Sequence, residues 1–301
     1  MRLVAIVLTF NEELHLRRCL ESIWEVVDDI LVVDCFSTDS TVEIANEFGA
    51  RIVQKAWTNH ANQFNFALTQ LDEGTDWVLR IDADEYLTPA LAKEIRQRVP
   101  QLPVHVDGVH LARRMMFMGR MIRHGGLFPV HVLRLFRAES GRCETRWMDE
   151  HIKVTGKTVN FSGELIDDNL NSLTWWINKH NNYASREVID LLNLEYGFMP
   201  HDTVASLTGG SQASLKRWIK ENIYTRLPGG FRAVAYFCYR YFLRLGCLDG
   251  REGTAFHVLQ GFWYRYLVDA KLVEVKHYIR ANNCTVEKGI KDVLGIDVEA
   301  R

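Results

Sequence analysis

An α/β fold, with a mainly parallel sheet covered by helices on both faces and then an all-helical extension, is what this sequence predicts. Three observations point to it. Short continuous apolar runs at 3–10, 30–33 and 77–81 have the pattern of strands buried on both faces. Between them, apolar residues recur at helical spacing, and strands alternating with helices imply a parallel sheet. Beyond about residue 170 the strand pattern stops and helical periodicity alone continues.

The elements follow in order. The run from Leu3 to Phe10 is the first strand, and Leu16, Leu20, Ile23 and Val27 mark the apolar face of the first helix. Ile30-Leu31-Val32-Val33 is the second strand, ending at Asp34. Ser40 and Glu43 have the spacing of a capping box that opens a helix, and Gly49 stops it. A third strand at Arg51-Ile52-Val53 and a third helix over 61–71 precede the fourth strand, Trp77-Val78-Leu79-Arg80-Ile81. That strand runs into Asp82-Ala83-Asp84-Glu85, and Thr88-Pro89 then supply an N-cap and a first-turn proline. Further strands are expected over 108–119 and 130–137, and helices over 172–195, 212–226, 231–246 and 253–281. The joints are Thr208-Gly209-Gly210-Ser211 and Pro228-Gly229-Gly230. The expected division is therefore an α/β domain over 1–170 and a helical extension over 171–301.

Composition narrows the class. Hydrophobic residues at 47% and charged residues at 25% are globular proportions. A net charge of −2 gives no overall reason to expect nucleic acid as the partner, and no recognised binding motif supports that weaker reading. Six scattered cysteines without a C-x-x-C pair speak against a zinc site or disulfide framework and predict a reducing compartment. The first apolar run is too short for a signal-peptide core, and no run approaches the roughly 18 apolar residues of a spanning helix. A cytoplasmic protein that does not cross the membrane is expected. No G-x-G-x-x-G follows the first strand, which speaks against a redox dinucleotide site.

Three polar clusters fall directly after buried strands: Thr9-Phe10-Asn11-Glu12, Asp34 to Asp39, and Asp82-Ala83-Asp84. Ligands of open α/β sheets bind beyond the carboxyl ends of the strands, so the three clusters are expected to meet in one crevice. Asp82 and Asp84, one residue apart, repel each other unless a cation or a donor engages them. A hard divalent ion, Mg²⁺ or Mn²⁺, suits their oxygens and can bridge to a diphosphate. Asp34 and Asp39 suit a base N–H or ribose hydroxyls. Taken singly, Asp39 is also a helix cap and Asp82 to Glu85 a solvated turn; their coincidence at three strand ends favours a site.

The segments Leu8-Thr9-Phe10-Asn11-Glu12-Glu13, Val32-Val33-Asp34 with Ser37-Thr38-Asp39, and Asp82-Ala83-Asp84-Glu85 resemble the family 2 inverting glycosyltransferases of GT-A fold. Within them the chain looks like the bacterial branch that builds lipopolysaccharide core or surface polysaccharide. The resemblance implies that Thr9, Glu12 and Asp34 line a nucleotide pocket, that Asp82 sits by the ribose, and that Asp84 binds the metal. Asn11, Asp39 and Ala83, in the same clusters, are expected on the donor side. Gln63 and Asn65 resemble a further donor-side motif, and UDP is the nucleotide the resemblance favours. Cys35-Phe36 replaces a common small pair, and Phe64 stands where relatives often carry a basic residue; both bear on donor identity.

An inverting transfer needs a base to deprotonate the acceptor hydroxyl. By resemblance Glu150 is that carboxylate, with Asp149 the local alternative and His151 a metal ligand or orienting group. Arg113, Arg114, Arg123, Arg134 and Arg137 are candidates to face an anionic saccharide or lipid-linked acceptor, beside a His124-Gly125-Gly126 loop. Residues 211–246 carry seven basic side chains against one acid, interleaved with eight aromatics. Such a segment is expected to lie on an anionic membrane surface. The competing readings are a metal-dependent nucleotidyltransferase and a non-catalytic membrane protein that binds nucleotide sugars.

Overall fold

A computed structural model describes residues 1–144, 151–199 and 230–298. β1 (Leu3–Thr9), β2 (Asp29–Asp34), β3 (Arg51–Gln54) and β4 (Trp77–Arg80) alternate with α1 (Leu16–Ile23), α2 (Thr41–Glu47) and α3 (His60–Thr69). After them come β5 (Glu85–Leu87), α4 (Pro89–Arg98), β6 (Val106–Phe117), β7 (Arg120–Met121), β8 (Val130–Arg137), β9 (Arg142–Cys143), β10 (Ile152–Lys153) and β11 (Lys157–Asp167). The main sheet has the order β3-β2-β1-β4-β8-β6-β11-β5, with β7 paired to β6 at one end; β9 and β10 form a separate ribbon. The first four strands are parallel, as expected. The rest of the sheet is mixed: β8 runs antiparallel to both β4 and β6, β11 runs parallel to β6, and β5 runs antiparallel to β11.

Strand alternation builds two cores, one on each face. Leu3, Ala5 and Val7 pack with Leu16, Leu20 and Ile23 of α1 and with Leu91 and Ile95 of α4. Val4 and Ile6 point the other way, onto Ala61, Phe64 and Ala67 of α3 and Phe136 of β8. β5 and β11 are among the elements of this half that the sequence does not announce. β5 grows directly out of the acidic turn, and β11 is broken by a register shift between Asn160 and Glu164. Gly163 sits at that shift because a Cβ there would come within 2.5 Å of the Leu91 Cα. The expected Thr88 cap is made, its hydroxyl accepting from the Leu91 N–H at 3.3 Å. The Ser40 cap is not made by the Ser40 side chain. Asp39 takes its place, accepting from the Thr41 N–H at 3.0 Å and the Thr41 hydroxyl at 2.5 Å.

The chain divides into two compact units, and apart from a short segment outside the described residues the second begins at Ser172. It contains α5 (Leu173–Tyr196), α6 (Phe231–Cys238), α7 (Gly250–Phe256), α8 (Tyr264–Asn282) and α9 (Val286–Leu294). Ala184, Val188, Ile189 and Leu192 of α5 form its core with Tyr264, Val268 and Val275 of α8 and Ile290 of α9. The helix expected over 212–226 lies outside the described residues. The one expected over 231–246 is α-helical only to Cys238, widens to a π-helical turn over Tyr239–Leu243, and reverses at Leu245. The helix expected over 253–281 carries a second π segment, His257–Trp263. Among the described residues no helix is long and apolar enough to cross a membrane.

Candidate active site

The carboxyl ends of β1 and β2 lie side by side, with Thr9 opposite Asp34. The Thr9 hydroxyl donates to Asp34 at 3.0 Å, and the two loops beyond are stitched together from both sides. The Asn11 N–H donates to the Ser37 hydroxyl at 2.8 Å, and the Thr38 N–H returns a bond to Asn11 Oδ1 at 2.9 Å. The Glu12 N–H donates to the Thr41 hydroxyl at 2.7 Å, and the Glu13 N–H to Asp39 at 3.2 Å. Asp34 is fully buried and accepts from Thr9, from the Ser37 N–H and hydroxyl, and from Gln54. Its acceptor sites are thus taken by the chain itself, which makes it the organiser of both loops. Asn11 and Phe36 sit in the left-handed region at φ 54° and 58°, a strained choice for Phe36 in particular. Just beyond these buried strand ends, Phe10 and Phe36 are 58% and 53% exposed.

The acidic turn follows β4, the neighbour of β1 on the other side, where Ile6 is opposite Arg80. Asp82 accepts from Arg134 of β8 at 2.7 Å, and Arg80 lies 3.8 Å from its other oxygen. Arg134 also pairs closely with Glu85, which in turn accepts the Asp82 N–H at 3.1 Å. Burial works against charge on Asp82, but Arg134 and Arg80 outweigh it and hold its carboxyl well below the usual carboxylate range. Glu85 is pushed up to about 7, chiefly by burial, against the pull of Arg134. Ala83 is buried and Asp84 half-buried. Beneath them the buried Cys19 thiol reaches the Asp82 carbonyl at 3.7 Å.

The polar run after β11 completes this region, although no sequence expectation points to it. Arg18 donates to Asp168 at 2.7 Å, Asn169 Nδ2 donates to Asp84 at 3.0 Å, and the Leu170 N–H donates to His15 Nε2 at 2.9 Å. Since Nε2 accepts, the His15 proton sits on Nδ1, which meets Glu12 at 2.7 Å. The available signal was positional: Asp167-Asp168-Asn169 is another polar cluster after a strand, but Gly163 hid the strand.

The remaining expected residues separate. Gln63 is buried and donates to the Lys55 carbonyl at 3.0 Å, and its Oε1 has no hydrogen-bond partner among the described residues. Asn65 uses both ends of its amide on the Cys143 backbone, each at 2.9 Å, and so holds β9. Of the arginines expected to face an acceptor, Arg134 is internal, Arg113 lies 3.5 Å from Asp167, Arg114 pairs with Glu164, and Arg137 lies over Trp77. Asp149 and Glu150 lie outside the described residues. His151 is exposed and its backbone pairs with Glu144.

Among the described residues no three His, Cys, Asp or Glu side chains gather as a metal cage, His151 and Asp84 included. The donor set fits a hard cation in another way. Mg²⁺ and Mn²⁺ are commonly held by one or two carboxylates together with substrate phosphates. Half-buried Asp84 has one oxygen on Asn169, and its Oδ1 accepts no hydrogen bond from a described residue.

The sequence model of glycosyl transferase family 2 matches residues 4–145, which contain all three clusters. The lipopolysaccharide core biosynthesis glycosyltransferase LpsC of Rhizobium meliloti is 31% identical over 193 residues, covering 61% of this chain and 69% of that protein. A Rickettsia typhi glycosyltransferase is 29% identical over 199 residues, covering 62% of this chain and 66% of its own length. A Rickettsia felis glycosyltransferase is 39% identical over 94 residues, 31% of this chain and 32% of that one. The chain thus spans from about a third to just under two thirds of these Rickettsia relatives. Among solved structures, the mannosyltransferase PcManGT of Pyrobaculum calidifontis, in complex with GDP-Man and Mn²⁺, superposes with a TM-score of 0.52 at 14% identity, covering 90% of this chain and 87% of that one. On these alignments and this sheet, the chain belongs to glycosyl transferase family 2 and has the GT-A fold.

Proposed function

We propose that this protein is an inverting, metal-dependent transferase that moves a sugar from a nucleotide sugar, favoured as UDP-linked, to a saccharide or lipid-linked acceptor of lipopolysaccharide or surface polysaccharide. The observation that carries the reading is the arrangement of the three polar clusters at the carboxyl ends of β2, β1 and β4, consecutive strands of one sheet. The similarity to LpsC supports the cell-surface acceptor class.

In this reading residues 1–170 are the catalytic domain. Thr9, Asn11, Glu12, Asp34 and Asp39 form the nucleoside side, with Asp34 fixing the loops from beneath and Phe10 and Phe36 offering exposed ring faces to a base. Asp82, pre-oriented by Arg134, meets ribose hydroxyls. Asp84 would hold a Mg²⁺ or Mn²⁺ ion together with the diphosphate, and the chemistry such an ion would supply is neutralisation of charge on the leaving group. Glu150 takes the proton of the acceptor hydroxyl, whose oxygen forms the new bond at the anomeric carbon. The bond to the diphosphate breaks on the opposite side, and its electron pair leaves with the nucleotide. The extension over 171–301 serves the acceptor and lies at the cytoplasmic face of a membrane, through residues 211–246.

Incubating the protein with labelled nucleotide sugars and a lipid-linked saccharide fraction tests the chemistry. Glu150→Gln is expected to lower transfer by about 10²-fold or more while nucleotide binding persists. Near-normal turnover in that variant removes Glu150 from the mechanism.

A further inference from the structure

We propose that the turn from Phe242 to Leu248 is a membrane-docking tip that inserts apolar side chains into the interface of an anionic lipid bilayer. Phe242, Leu243, Leu245 and Leu248 are 57%, 76%, 50% and 59% exposed. Single exposed apolar residues are ordinary on a soluble protein, but four within seven consecutive positions form a patch of the kind that marks an interaction site. Tyr239, on the π-helical turn that leads into it, is a further exposed ring.

The backbone gives a second, independent observation. Leu245 holds φ at 59°, in the left-handed region where glycine is unstrained and leucine is not. Hydrogen bonds from the Arg244 N–H to the Tyr239 carbonyl (2.9 Å) and from the Leu248 N–H to the Leu245 carbonyl (3.0 Å) fix the reversal. Leu245 is 50% exposed, so packing covers only half of it, and insertion of its side chain into an apolar phase would add burial that offsets the backbone cost.

Charge selects the kind of surface. Arg244 and Arg251 are exposed beside the apolar tip, whereas Asp249, the acid that follows the turn, is 2% exposed and Glu252 is half-buried. The outward face is apolar with a cationic rim, which complements anionic headgroups. The inference rests on the membrane contact proposed above and moves its anchor. Of the three described basic residues in 211–246, Arg232 is buried against Asp269 and Arg240 is buried over Tyr236, leaving Arg244 outside.

Flotation of the full chain, without nucleotide, with vesicles of phosphatidylcholine alone or mixed with phosphatidylglycerol is the test. It is separable from sugar transfer because donor binding is measured without vesicles. Wild-type protein is expected to float with the mixed vesicles in a salt-sensitive manner. Leu243→Ser combined with Leu248→Ser should weaken binding at least about tenfold. Arg244→Gln combined with Arg251→Gln should remove the preference for anionic lipid. Leu245→Gly guards against simple misfolding: it relieves the backbone strain, so it should melt no lower than wild type while binding vesicles several-fold more weakly. Failure of folded wild type to float with mixed vesicles overturns the proposal, as does undiminished binding of the serine pair. Dissociation of a dimer by the same substitutions, with vesicle binding untouched, assigns the patch to a second copy of the chain instead.

Discussion

Arg134 is 4% exposed and carries a charge into the interior, where it meets Asp82 at 2.7 Å and pairs closely with Glu85. Burial works against a charged guanidinium, but Asp82 and Glu85 outweigh it, and the Arg134 side chain is held protonated. Removing one member of such a group leaves an uncompensated buried charge, which is costlier than the group is stabilising. Arg134→Met is therefore expected to lower stability by about 3–5 kcal/mol in urea unfolding, and Arg134→Lys by less, because a single ammonium replaces only part of the fork. A loss under about 1 kcal/mol in the Met variant would show that Asp82 and Glu85 do not depend on Arg134. The carboxylates of this turn were legible as Asp-x-Asp because their chemistry is local. The arginine that orients them was not: it stands 52 positions from Asp82 in a strand that reads as apolar and basic by turns. The acids beside Arg113 and Arg114 are hidden in the same way, since sequence gives a charge but not the Asp167 and Glu164 that β11 brings to it.

At the scale of elements, local signals were read well wherever a partner lies nearby. The Thr88-Pro89 start of α4 and the apolar runs of β1, β2 and β4 belong to this class. The Ser40 capping box is not formed; Asp39 instead accepts the Thr41 N–H at the helix start and the Glu13 N–H of the neighbouring loop, a long-range bond no local pattern announces. β11 went unseen because its alternation is interrupted at Ser162-Gly163, where the strand shifts register to let α4 pack closely. Glu94 of α4 accepts the Gly163 N–H at 2.7 Å across the same contact. Gly163→Ala would drive a Cβ to 2.5 Å from the backbone of Leu91, where no flexible side chain can give way. We expect it to destabilise the protein by about 1–3 kcal/mol in thermal or denaturant unfolding. Wild-type stability in that variant would mean that α4 and β11 do not pack as described. The π segments of the helical unit had no sequence signature at all, because their residues have the same periodic composition as ordinary helix.

For the whole molecule, what the sequence made legible was the half of the sheet built from consecutive parallel strands, since β1, β2 and β3 are each followed by a helix. The strand order β3-β2-β1-β4 then places three loops that are far apart in the chain at one sheet edge. The mixed half depends on β8 joining β4 and β6, and on β11 joining β6 and β5, pairings of long sequence separation that no local pattern announces. From that half come Arg134 and the Asp168-Asn169-Leu170 run, the supports of the acidic turn and of His15. The central claim is that these loops form a metal-assisted nucleotide-sugar site, and one measurement tests it most directly. Thermal stability of the purified chain is recorded against nucleoside diphosphates and their sugars, with and without Mn²⁺. A ligand at about 100 times its dissociation constant stabilises the native state by roughly 2.7 kcal/mol, enough to register as a clear shift. The account predicts a Mn²⁺-dependent shift with one nucleotide, lost in Asp84→Asn. No shift with any nucleotide, or a full shift that survives Asp84→Asn, would contradict it.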